Sequence, residues 1–410
     1  MNNFLNTFPD SKILLSIYPD VEILEVNAHL HTPYSFSAFT SIDQIFSQTS
    51  EENIAVAGIN DFFITHGYEP FYNGALKARV FPLFNIEFIG LLKQEQLQGI
   101  RVNDPNNPGR CYFSGKGLNY PFHIDEKLKQ KLNRVIDQSQ DQVRAMVDKA
   151  NNYFQSVNAG IHLDFNEIRI NYAKELVRER HIAKAIRADI FEKTQDVSIR
   201  KRLIANIFVG REPASALTDI PGLENEIRGV LLKAGGKAFV EEDESAFLSI
   251  EELIEIINNA GGIPCYPVLL DDKNGNYTEY ERDPEQLWKN LTNRNIGCIE
   301  LIPGRNDIRH LEKFTDFFNK KGFVILLGTE HNTPDLIPLT CNTRGNKPLS
   351  DELRRLSYEG ACVVAAHQYL RAKNQEGFIG DNRLPRNSEK KSFISLGNAV
   401  IHYFKDYYNR

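Results

Sequence analysis

The sequence predicts an α/β protein built around a parallel sheet, and three observations carry that prediction. Short continuous apolar runs at residues 54–59 (IAVAGI) and 80–89 (VFPLFNIEFI) have the pattern of strands buried on both faces. Amphipathic helical stretches alternate with them, as crossover connections between parallel strands require. The alternation stops near residue 95 and resumes at Leu248, so at least six strands come in two batches around an intervening block.

Residues 1–20 read as an N-terminal helix or arm, and 21–30 (VEILEVNAHL) as a strand ending in a polar cluster. Residues 41–52 (SIDQIFSQTSEE) predict a helix, with Ser41 as N-cap because its hydroxyl can accept from a free first-turn N–H. The 54–59 strand, a helix around 68–77 and the 80–89 strand follow. Residues 101–120 are rich in Gly, Pro and Asn and predict a long loop, and residues 125–235 are charged, amphipathic and helical. In the second batch, 249–259 (SIEELIEIINN) is a helix with a Ser249/Glu252 capping box, ended by Gly261 and Gly262. Strands at 263–270, 297–302 and 323–327 alternate with helices ending near 293 and spanning 310–321, and the last ~60 residues read as helix and loop. The expected organisation is therefore 1–100 as the first part of the sheet, 101–245 as loop and helical insertion, and 246–410 as the second part with C-terminal helices. A (β/α) barrel and a doubly wound sheet both satisfy this pattern, and both gather function at the carboxyl ends of the strands.

The 410 residues are 41% hydrophobic and 25% charged, with a formal net charge of −6 and no long run of one sign. That balance argues against general nucleic-acid binding, which needs a basic face, but leaves room for a small phosphorylated substrate. Five widely spaced cysteines without a C-x-x-C pair argue against a disulfide framework and for a reducing compartment. No signal peptide and no membrane-length apolar stretch is visible, so a cytoplasmic location and no membrane partner are expected.

The residues that could carry chemistry sort to strand ends. His29 and His31 lie two apart at the end of the 21–30 strand, so both imidazoles face one side and suit a divalent metal. Glu330 and His331 follow the 323–327 strand directly. Glu87 and Glu300 sit inside apolar strand runs, where a carboxylate requires a partner, either a metal or a basic side chain. Asn60 and Asp61 close the 54–59 run.

These segments, in this order, resemble the PHP (polymerase and histidinol phosphatase) superfamily. His29-x-His31-Thr is similar to its first motif, Gly58-Ile-Asn-Asp61 to its second, and Asn85-Ile-Glu87 to its third. Residues 261–267 (GGIPCYP), 297–300 (GCIE) and 328–331 (GTEH) resemble the later motifs, and Arg180-His181-Ile-Ala resembles a segment of the inserted subdomain in one phosphoesterase branch. The resemblance covers roughly residues 22–335. It implies a distorted (β/α)7 PHP-type barrel with a helical insertion subdomain. It also implies a divalent metal ion (Mn, Zn or Fe), one or two per chain, on His29, His31, Glu87 and Glu330. Glu330, His331 and Asp61 become the candidate catalytic groups, with Asp61 also a candidate orienter of a ligating histidine. Arg305, Arg180 and His181 become the candidate substrate contacts, with Arg110, Lys116 and Arg344 as further cations and His162 as a candidate second-metal ligand.

This sequence departs from the family pattern at three positions. Phe62 stands where the second motif has a histidine, with His66 four residues on. Tyr266 replaces a histidine, and Glu330 replaces an aspartate. Three functional readings follow: a metal-dependent phosphoesterase acting on a nucleotide or other small phosphate ester, a non-catalytic PHP-like binding module, and a metal hydrolase of C–N bonds.

Overall fold

The computed structural model describes residues 3–272 and 274–407. Seven strands form one sheet in chain order: β1 (Glu25–Leu30), β2 (Ile54–Phe62), β3 (Phe81–Leu91), β4 (Arg110–Lys116), β5 (Ile263–Val268), β6 (Cys298–Leu301) and β7 (Val324–Leu327). A two-residue strand, Leu248–Ser249, adds to β3. The sheet curls until its ends meet. Just past β7, Glu330 bridges Leu30 of β1, with His31 N–H donating to the Glu330 carbonyl and Glu330 N–H to that of His29, each at 2.9 Å. The fold is thus α/β, with a nearly closed barrel of seven strands and additional helices.

Gly328 makes this closure possible. A Cβ there would fall 2.4 Å from the Cβ of His29, so only glycine lets the chain after β7 approach the β1 ligand strand.

Six strands are parallel to their like neighbours, whereas β4 runs antiparallel to both β3 and β5. This corrects the expectation of a loop over 101–120. The strand RCYFSGK turns Cys111, Phe113 and Gly115 to one side and Tyr112, Ser114 and Lys116 to the other. Polar inward residues and flanking Gly and Pro hid it from an apolar-run criterion. The other strands and the helices Ile42–Glu51, Tyr68–Ala78, Ile250–Asn259 and Ile308–Lys320 lie close to where the sequence puts them. Ser41 and Ser249 cap as expected, the latter in a reciprocal capping box with Glu252.

Outside the barrel, two apolar layers pack the strands against helices, one containing Asp351–Ala372 and Lys390–Tyr407, the other Ile250–Asn259 and Ile308–Lys320. The helices between Glu126 and Ile227 enclose a third core, with Met146, Phe154, Ile186, Ile204 and Leu223 at its centre. No helix among the described residues is long and apolar enough to cross a membrane.

Candidate metal centre

Strand alternation turns His29 of β1, Asn60 of β2, Glu87 of β3, Ser114 and Lys116 of β4 and Glu300 of β6 into the barrel interior, where all are buried. Two of these, His29 and Glu87, converge with His31, which follows β1 directly and is also buried. Nε2 of His31 lies 3.1 Å and Nε2 of His29 3.6 Å from Oε2 of Glu87, and the two Nε2 atoms are 3.3 Å apart.

The second ring nitrogens decide which atoms face that point. Nδ1 of His29 lies 2.8 Å from Oε2 of Glu300, which can only accept, so Nδ1 carries the proton and Nε2 the lone pair. On His31, Nδ1 lies 3.3 Å from Oγ of Ser35, whose hydroxyl donates to Asp61 at 2.7 Å, so Nδ1 donates there as well. The Asn60 amide nitrogen, 3.0 Å from Nε2 of His29, agrees with the same tautomer. Two imidazole lone pairs and a carboxylate oxygen therefore share one buried point.

Such a triple of acceptors repels itself unless a cation lies between them. Oε2 of Glu87 is buried and has no hydrogen-bond donor, although nearly every other acceptor around it is satisfied. His29, His31 and Glu87 thus fit a divalent metal, with nitrogen and oxygen donors of the kind borderline ions accept. Burial would raise the Glu87 carboxyl, but positive charge on the His29 and His31 side, whether a proton on a ring or a cation among the three groups, pulls it down. Burial lowers His31 to about 4 against the pull of Glu87. For His29 burial acts in the same direction, but Glu300 and Glu87 outweigh it and the imidazole is raised above its ordinary value. Deprotonated ligands are what a metal requires, and Glu87 and His31 are poised in that form near neutrality.

The remaining sequence candidates divide. Asp61 accepts from Thr32 N–H at 2.7 Å, from the Thr32 hydroxyl at 2.5 Å and from Ser35, and burial pushes its carboxyl up to about 6 against those bonds. It touches His31 only through Ser35. Glu330 stands outside the three-ligand cluster and pairs with Arg305. His331 turns away: Thr329 Oγ1 and the Ile337 carbonyl engage its two nitrogens, and its ring stacks on Phe39 at 4.8 Å. Phe62 stacks on His31 at 4.7 Å, and the Arg178 guanidinium lies over the Phe62 ring at 5.0 Å. Tyr266 points outward into the helix layer, where its hydroxyl donates to Glu281 at 2.9 Å. His66 and His162 are exposed, and Arg344 is held by Asp271 and by the carbonyls of Asp271, Asp272 and Arg305.

Above the cluster lies a cavity of about 410 Å³ whose wall includes His29, Glu87, Glu300, Tyr112, Glu330, Arg305 and Arg110 from the barrel, and Arg180, Arg228 and Lys233 from the helical block. Arg228 and Lys233 share the Glu179 carboxylate, each at 2.5 Å, while Arg180 donates to the Asn225 side chain at 2.9 Å. Burial and the neighbouring Arg228 pull the Arg180 guanidinium down to about 10. His181 does not line this cavity. Its Nδ1 accepts from Arg178 N–H at the helix start, its ring meets Phe36 edge-on, and it borders a separate cavity of about 440 Å³.

Sequence reasoning missed Arg228 and Lys233, which sit in an amphipathic helical stretch with nothing local to distinguish them. It also took Lys116 for a loop cation, whereas Lys116 is fully buried, 2.5 Å from Glu300 and 2.9 Å from the Asn60 oxygen. Recognising β4 would have found it, since a lysine at an inward strand position requires an acid.

No protein-family model matches this chain, and neither does any curated protein. Solved structures do match. One, described provisionally as a metal-dependent phosphoesterase from Bifidobacterium adolescentis, is 13% identical, with a TM-score of 0.53 over 82% of this chain and 96% of that one. Another, an amidohydrolase from Chromobacterium violaceum with bound sulfate and no metal, is 14% identical, with a TM-score of 0.48 over 81% and 96%. The nearly closed mixed barrel is of the PHP type, and at its centre this chain carries a buried His-His-Glu cluster suited to a metal.

Proposed function

We propose that this protein is a metal-dependent hydrolase of small phosphate esters. The observation that carries the reading is that His29 and Glu87 of the cluster line a cavity also lined by Arg180, Arg228 and Lys233. His29, His31 and Glu87 would hold a divalent ion, which when bound would supply Lewis-acid stabilisation of charge on phosphoryl oxygens.

The chain's own groups do the rest. Arg305, at the rim, and the insert cations orient an anionic ester and offset its charge, with Arg providing paired N–H donors that match phosphate oxygens. Glu330, which lines the same cavity and pairs with Arg305, would exchange a proton with water. Asp61 and Glu300 act behind the ligands: Glu300 accepts a hydrogen bond from His29 Nδ1–H, and Asp61 holds Ser35 against His31. His331, engaged by Thr329 and Ile337, shapes the turn that closes the barrel.

The test is to strip the protein with a chelator, reload it with Mn, Zn or Fe(II), and assay a panel of phosphate monoesters and diesters beside cyclic amides. Metal-dependent phosphate release is expected. Turnover of the amides with none of the esters would replace this reading by C–N hydrolysis. The Phe62 stack on His31 favours a second reading, a binding module with a reduced centre. That reading predicts metal binding, or ligand binding in the cavity, with no turnover of either class.

A further inference from the structure

The two carboxylates of the barrel interior stand in opposite states. Glu87 has an oxygen without a donor, whereas every bond that Glu300 can usefully make is made. Oε1 of Glu300 accepts from the Ser114 hydroxyl at 2.5 Å, and Oε2 accepts from His29 Nδ1 at 2.8 Å and from Lys116 Nζ at 2.5 Å. Lys116 donates also to the Asn60 oxygen, and Lys116, Asn60 and Glu300 are almost completely shielded from water. One side of the His29 ring thus faces the point it shares with His31 and Glu87, and the other side faces a carboxylate already paired with an ammonium group.

We propose that Lys116 is the built-in second cation of this centre and restricts it to one divalent ion. The inference rests on the metal reading above. Its physical ground is charge and donor count. Two buried carboxylates are balanced by one ammonium and one divalent ion with a single positive charge left for an anionic ligand, whereas a second divalent ion beside Lys116 would leave three in a buried layer. Lys116 also takes the oxygen atoms of Glu300 and Asn60 that a second ion would use. Removing the ammonium frees both, and with water they form an oxygen-rich site of the kind Mn²⁺ accepts. The antiparallel direction of β4 brings this lysine into the barrel interior from the opposite end of the strand to Tyr112, which lines the cavity.

The test uses Mn²⁺ as the probe on the full chain, counting bound metal by equilibrium dialysis and reading its spin state by electron paramagnetic resonance. Wild type is expected to saturate at one Mn²⁺ per chain with the spectrum of an isolated ion. Lys116→Ala is expected to take two, with a spin-coupled signal at full loading, and Lys116→Arg to stay at one. Adding Glu300→Gln to Lys116→Ala should return the count to one, because the second ion depends on that carboxylate. Lys116→Gln, uncharged and of similar reach, replaces Lys116→Ala if circular dichroism shows that the alanine variant does not fold. Two coupled ions in wild type, or a folded uncharged variant that stops at one, overturns the proposal. Wild type that binds no Mn²⁺ fails the metal reading itself, a distinct result.

Discussion

The barrel and the helical insert meet at one cavity with different charge bookkeeping. Each barrel-side cation has its own carboxylate: Lys116 has Glu300, Arg305 has Glu330, and Arg110 has Glu242 at 2.6 Å. On the insert side Arg228 and Lys233 share one carboxylate, and Arg180 is held by an amide oxygen. Unbalanced positive charge therefore sits on the insert, and unbalanced lone pairs sit on the barrel. The difference teaches a division of labour. Strands β1 and β3 and the residue after β1 position the His29, His31 and Glu87 donor atoms, while the inserted helices present positive charge to the same cavity.

The sharpest way to break this comparison is at the lone pairs. His31→Ala or Glu87→Ala should abolish stoichiometric metal binding and lower metal-dependent turnover by roughly a thousandfold or more, since the metal's whole contribution is lost. Metal analysis beside a thermal melt checks it, and full metal content in either variant would remove these residues from the centre. Glu300→Gln should act more weakly, reducing metal affinity by about 10- to 100-fold through the orientation of His29, the usual scale for a group behind a ligand. Competition with a chromogenic chelator measures that.

On the insert side, Arg180→Ala should raise KM by about tenfold with kcat little changed, the signature of a lost contact made equally in ground and transition states. A fall in kcat with constant KM would move Arg180 into the chemistry. The smallest effect concerns pH. Burial, helped by Lys184, Arg178 and Arg180, lowers His181 to about 3, below its ordinary value of 6.5. The folded state therefore favours neutral His181 while the unfolded chain binds the proton. The stability it contributes is complete above about pH 6.5 and declines as pH falls toward 3. Denaturant melts of wild type and His181→Gln, which keeps an acceptor for Arg178 N–H, should show the wild-type advantage shrinking over that window.

The strand ends were legible because their chemistry is local. His29 and His31 share a face by simple alternation, and Glu87 stands out as a charge in an apolar run. Glu300 stood out in the same way, but its partner was not legible, because Lys116 lies on a strand without an apolar signature. Glu330 followed a strand as a ligand would, yet it pairs with Arg305 at the cavity wall and stands outside the three-residue cluster; Glu330 and His331 both adopt left-handed backbone, with φ of 70° and 55°. His331 is carried outward by the same turn. The loss of histidine at 266 matters less to the interior than the sequence suggests, since Tyr266 faces the helices. Phe62 matters more, because its ring covers a ligand. Arg228 and Lys233 needed tertiary structure, as no spacing rule links a helix near residue 230 to a strand end near residue 30.

The helix Glu126–Ser156 belongs to two cores at once. Leu128, Leu132 and Val135 pack with the barrel, and Val143, Met146, Val147 and Phe154 pack with the insert. Its 31 residues make a continuous rod of about 46 Å. One stiff strut, rather than a hinge, thus joins the barrel core to the insert core, and the two walls of the cavity are carried by elements that share it.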